Sequence, residues 1–73
     1  MNDQLNIDFG DALRKQREAR SLTQEQFAIK CGISRAYYGR IERGEHSATI
    51  NQCGKIAAVL GLHIAQLFED MPF

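Results

Sequence analysis

Arg35, Arg40 and Arg43 crowd the stretch SRAYYGRIERG, a segment barely three turns of helix long. A guanidinium stays charged in proteins and only donates hydrogen bonds, so it suits anion recognition rather than bond making. The surroundings strengthen that bias. From Arg14 to Arg43 there are eight basic residues (Arg14, Lys15, Arg17, Arg20, Lys30, Arg35, Arg40, Arg43) against three acidic ones, Glu18, Glu25 and Glu42. The flanks carry the compensating acids, Asp3, Asp8 and Asp11 before this region and Glu45, Glu69 and Asp70 against Lys55 after it, so formal net charge is zero. Such asymmetry marks a polyanion-binding face, the plain alternative being a solvated charged surface.

Other reactive side chains are sparse. Cys31 and Cys53 are far apart, with neither a CxxC spacing nor a histidine at ligand distance in sequence, so no metal site is expected. Both fall where apolar residues belong and read as small buried hydrophobes with free thiols, which suits a reducing cytoplasm. His46 and His63 have no Cys, Ser or carboxylate at the spacing of a triad, so the chain is not expected to be an enzyme or to use a cofactor or small-molecule ligand. The acidic start MNDQLNIDFG lacks the apolar run of a signal peptide or membrane anchor.

Helices must position these groups. At 73 residues, with 44% hydrophobic and 25% charged residues, the chain is expected to form one domain over 1–73 around a single small core. Apolar residues recur at helical spacing throughout, and no run alternates as a half-buried strand does. The expected class is all-α, with helices at about 8–20, 23–31, 34–43, 49–61 and 63–69. Asp8 is the expected N-cap of the first, with Phe9, Leu13 and Arg17 along one face. TQEQ places Thr23 and Gln26 as a capping box, and Gly32 closes the second helix. Ser34 caps the third, whose Tyr38 and Ile41 face inward, and Gly44 stops it. Thr49 caps the fourth, with Ile50, Cys53, Ile56, Ala57 and Leu60 inward and Gly61 at its end. The fifth starts near His63 and buries Ile64, Leu67 and Phe68.

The second and third helices, joined by a short turn containing Gly32, form a helix-turn-helix. The second helix of such a pair fits the major groove of DNA, with its N-terminal residues toward base edges. The run LTQEQFAIKCGISRAYYGRIERGE, followed by TINQCGKIAAVLGLHIAQLF, resembles the phage repressor and Cro-type (Xre) helix-turn-helix domain. The resemblance covers roughly residues 9–68. It rests on Gln24, Ala28, Gly32, Ile41-Glu42 and the downstream Ile56-Ala57 and Leu60, in order and at these spacings. It implies a compact bundle of the lambda-repressor-like type and a double-stranded DNA partner. It also implies that Gln24 binds a phosphate, and that Arg35, Ala36 and Arg40 read bases, the arginines suiting guanine and the Ala36 methyl a thymine methyl. Tyr37 would meet a phosphate or a thymine, Ser34 would cap the helix and touch backbone, and Arg43 would grip phosphate. Arg17 and Glu42 would form a structural ion pair between the first and third helices.

Two residues depart from the family pattern. Ile29 is apolar at an outward position, and Gly39 interrupts the third helix at a cost of about 1 kcal/mol relative to Ala. One reading helix selects too short a site, so a homodimer on a pseudo-palindromic operator is expected. Its surface is expected to include Val59, Leu62, Ile64, Phe68, Met71 and Phe73, more apolar than one short helix and tail need. SRAYYGRIERGE with the later TI is similar to controller proteins of restriction–modification systems, and small prophage repressors and antitoxin-type regulators share much of it. The reading is therefore a cytoplasmic, autoregulatory transcriptional regulator of bacterial or phage type, acting on nucleoid DNA. The rival class is a protein-binding adaptor or antitoxin-type module with the same fold, which the arginines of the third helix disfavour.

Overall fold

The structure, a computed structural model, describes residues 4–69 and 71. Four α-helices follow in order among these residues: α1 (Gln4–Ala19), α2 (Gln24–Cys31), α3 (Arg35–Glu42) and α4 (Ile50–Leu60), with a closing 3-10 helix, Ile64–Phe68. The expected fifth α-helix is this single 3-10 segment. So short a piece settles into i→i+3 bonding, with Gln66 N–H on the His63 carbonyl at 2.9 Å.

The helix ends follow local chemistry. Thr23 Oγ1 accepts from Gln26 N–H at 3.1 Å while Gln26 Oε1 accepts from Thr23 N–H at 2.9 Å, so two otherwise orphaned donors are satisfied. Thr49 and Gln52 repeat the arrangement at α4. Ser34 Oγ accepts from Tyr37 N–H at the start of α3. Gly32 ends α2 in the left-handed region, with φ +69°, which a side chain would disfavour.

The start of α1 differs from expectation. Asp8 is not its N-cap but lies a turn inside, where it accepts from the Gln4 side chain at 2.9 Å. The extra turn has a tertiary cause. Ile7 packs on Gly44, so closely that a Cβ there would stand 2.6 Å from Ile7 Cγ1. The loop after α3 thus supports the first turn of α1.

Leu13, Phe27, Tyr38, Ile41 and Ile56 are the largest side chains fully sealed in the core. The Phe27 and Tyr38 rings meet edge-on at 5.2 Å, and Phe9 lies 5.6 Å from Phe68, tying the 3-10 helix to α1. Cys31 and Cys53 are buried and unpaired, and burial pushes the Cys31 thiol up to about 11. Ile50 is not part of the inward set of α4: as its first residue it is 71% exposed. Ile64 is likewise at the surface, while Leu67 is buried. No helix among the described residues is long and apolar enough to cross a membrane.

Candidate nucleic-acid interface

At about 100° per residue, Arg35 and Arg40 diverge around α3. Gly39 and Arg43, and then Ala36, fall in the arc between them. The two arginines therefore become the rims of one depression, lined by Gln24, Arg35, Ala36, Gly39, Arg40 and Arg43. Ala36 and the bare Gly39 make its floor, and Arg35 and Arg40 its edges. Gln24 closes it from the first turn of α2.

Beneath this face lies a polar network centred on Glu42. Arg17 Nε and Nη2 donate to the two Glu42 carboxylate oxygens, both at 2.8 Å, a bidentate fork from α1 to α3. Arg17 Nη1 also donates to the Leu22 carbonyl at 2.7 Å. Tyr38 Oη donates to Glu42 Oε2 at 2.6 Å and Gln24 Nε2 to Glu42 Oε1 at 2.9 Å. Burial alone would raise the Glu42 carboxyl, but the bonds from Arg17, Tyr38 and Gln24 and the Arg17 charge hold it below the ordinary carboxylate value. Burial and the bond to Glu42 push the Tyr38 hydroxyl well up. Every described buried side-chain nitrogen and oxygen has a partner, so the network is complete and α3 is clamped to the scaffold through its last residue.

Several expected site residues have more specific positions than the sequence suggests. Tyr37 does not line the depression. Its hydroxyl is directed at the Ser47 carbonyl at 3.0 Å, with Gln52 Oε1 at 3.3 Å, and its ring meets His46 at 4.7 Å. It braces the loop between α3 and α4. One Gln24 donor is committed to Glu42, leaving its amide oxygen toward the Gly39 side of the depression. Ser34 acts as the helix cap. Ile29 is indeed outward, 72% exposed.

Of the expected association surface, Ile64 is exposed, while Val59, Leu62 and Phe68 are partly buried against the core. Met71 is a correction: at 6% exposure it completes the core of its own chain and offers nothing to a second copy. Phe73 lies outside the described residues.

The residue that sequence reasoning passed over is Gly10. α1 crosses α3 so closely there that a Cβ would stand 2.7 Å from the Ile41 carbonyl oxygen and against the Glu42 carbonyl as well. A glycine within a helix, where it costs about 1 kcal/mol against Ala, was the available signal.

Residues 13–67 match the profile of the helix-turn-helix family. The chain belongs to this family of DNA-binding transcriptional regulators. It is 39% identical over 72 residues to the control protein C.MunI of a Mycoplasma species, covering 97% of this chain and 96% of that protein. It is 30% identical over 70 residues to the control protein C.BamHI of Bacillus amyloliquefaciens, covering 94% and 86%. Among solved structures, the restriction-modification controller protein C.AhdI from Aeromonas hydrophila superposes with a TM-score of 0.83 at 35% identity, covering 86% of this helix-turn-helix regulator and 96% of that chain.

Proposed function

We propose that this chain is a controller protein of a restriction–modification system, a homodimer that reads a pseudo-palindromic operator upstream of its own gene. The observation that carries this reading is the cationic depression on α3, framed by Arg35 and Arg40, in a chain resembling control proteins along nearly their full length. Arg35, at the first position of α3, points its fork toward guanine O6 and N7, and Ala36 supplies a methyl contact. Arg40 and Arg43 flank them, with Arg43 toward phosphate. Gln24 offers its remaining amide N–H to a second phosphate.

A second copy covers Ile64 and the neighbouring Val59, Leu62 and Phe68. With protomers measuring 30 × 24 × 22 Å, two abutting copies suit reading helices one DNA turn apart, about 34 Å. The protein then acts in the cytoplasm on nucleoid DNA, and catalysis has no part in it. The adaptor reading gains no support from a helix that presents arginines to solvent.

Fluorescence anisotropy with duplex DNA from upstream of the chain's own gene, against scrambled DNA at two salt concentrations, tests the proposal. Tight binding to the native fragment alone is expected, stoichiometric with two chains. Equal, weak and steeply salt-dependent binding to both would leave only the phosphate contribution and sink the operator assignment. Within the same assay, Arg35→Ala should cost about 1–3 kcal/mol of preference for the operator over scrambled DNA. An unchanged preference would remove Arg35 from base reading.

A further inference from the structure

Arg43 does not extend freely into solvent. Its Nε donates to Glu45 Oε2 at 3.0 Å and its Nη2 to Glu45 Oε1 at 3.3 Å. The guanidinium also lies back over α3. Its Nη1 is 3.0 Å from the point where a Cβ on Gly39 would stand, and the Gln24 amide oxygen is 3.5 Å from that same point. The bare glycine, unexplained by helix propensity, is the bed on which Arg43 rests inside the depression. A carboxylate presenting two oxygens to a guanidinium fork offers the same recognition geometry as a DNA phosphate. The bond from Arg43, the Arg43 charge and the nearby Arg40 charge hold the Glu45 carboxyl below its ordinary value.

We propose that Glu45 is an internal stand-in for a DNA phosphate, holding Arg43 over Gly39 in the free protein and displaced from it when the DNA backbone arrives. This rests on the DNA-binding reading above and adds a competitor to it. Both side chains of the pair are about half exposed, at 54% and 56%, so the pair opens readily in water. Each binding event exchanges one charged fork for another, and the penalty is the Arg43–Glu45 pair given up. Because neither contact touches a base edge, the penalty falls on all duplexes alike. Glu45 thereby lowers overall affinity without altering the ranking of sequences, leaving that ranking to the base-reading side chains.

Glu45→Gln keeps the length of the side chain and removes its charge. Anisotropy titrations of the full chain should show binding tightened roughly three- to tenfold on both operator and scrambled duplexes. Arg43→Gln should weaken binding and flatten the slope of log K against log salt by about 0.9 per protomer, about 1.8 for the dimer. In the Arg43→Gln background, Glu45→Gln should then change nothing. Asp11→Asn, which removes a carboxylate from the comparable exposed pair with Arg14 on α1, is the charge-matched control and should leave affinity within about twofold. Tightening that persists without Arg43 would mean plain repulsion by Glu45, and the competitor role would be wrong. Unchanged affinity in Glu45→Gln overturns it too, and weakened affinity would make Glu45 a positioner of Arg43 instead. A wild-type chain that binds neither duplex overturns the DNA-binding reading itself, and the competitor with it. Thermal melts of each variant separate these outcomes from misfolding.

Discussion

Glu42→Gln should destabilise the fold by about 3–5 kcal/mol, a large share of the stability expected of a domain this size. The carboxylate accepts four hydrogen bonds, two from Arg17 and one each from Tyr38 and Gln24. An amide of the same shape has one acceptor oxygen and turns two donors toward donors. It also leaves the Arg17 guanidinium, whose side chain is only 11% exposed, without its buried counter-charge, the exposed Glu18 carboxylate standing off at 3.9 Å. Loss of one partner from such a pair is costly because a desolvated charge stays behind, whereas loss of both can be nearly neutral. Arg17→Met added to Glu42→Gln should therefore recover part of the loss, and a urea-denaturation cycle over the four chains measures the coupling. A loss under about 1 kcal/mol for the single change would show that the network does not hold α3.

The same carboxyl sets an acid limit. Its folded-state pKa lies below the ordinary 4.5, so its contribution is complete above about pH 4.5 and is lost as pH falls through the lower folded value. Wild-type stability should drop through that window. The gap between wild type and Glu42→Gln should narrow over the same range, since the variant has no proton to take up there.

Gly10→Ala should be destabilising by about 2 kcal/mol or more, even though alanine is the better helix former. The new methyl would meet not a flexible side chain but the carbonyls of Ile41 and Glu42, on the backbone of α3. A rotamer change cannot relieve that contact, so α1 and α3 must separate. Their separation also strains the Arg17–Glu42 fork, which spans the same crossing. At roughly 4–8 °C per kcal/mol for a domain of this length, the melting temperature should fall by about 10 °C. Operator affinity should fall further than stability alone explains, because the helix that moves is the reading helix. Gly54→Ala is the matched control. It sits within α4 with only Ile64 Cδ1 at 3.9 Å from the new methyl, so it should stabilise by up to about 1 kcal/mol. Equal effects at the two glycines would show that the close crossing is not what Gly10 provides.

Much of this molecule is written locally. Thr23, Ser34 and Thr49 cap helices, and Gly32 and Gly61 end them, because those bonds and backbone angles involve residues no more than a few positions apart. The reading arginines are legible for a similar reason, since their order along α3 defines an arc whatever the helix packs on. The Arg17–Glu42 pair was available only through the family resemblance, since periodicity does not say that two distant side chains meet. Composition likewise could not separate Met71, which seals its own core, from Ile64, which faces outward.

The sequence by itself determined the helical class, the helix-turn-helix and the face that carries the arginines, through hydrogen bonds and steric preferences confined to neighbouring residues. Tertiary structure alone decided that α1 extends ahead of Asp8, why Gly10 is bare, and how Arg17 and Gln24 reach the Glu42 carboxylate. Each of these depends on how closely two segments approach, and that distance is set by the shapes of surfaces far apart in the chain.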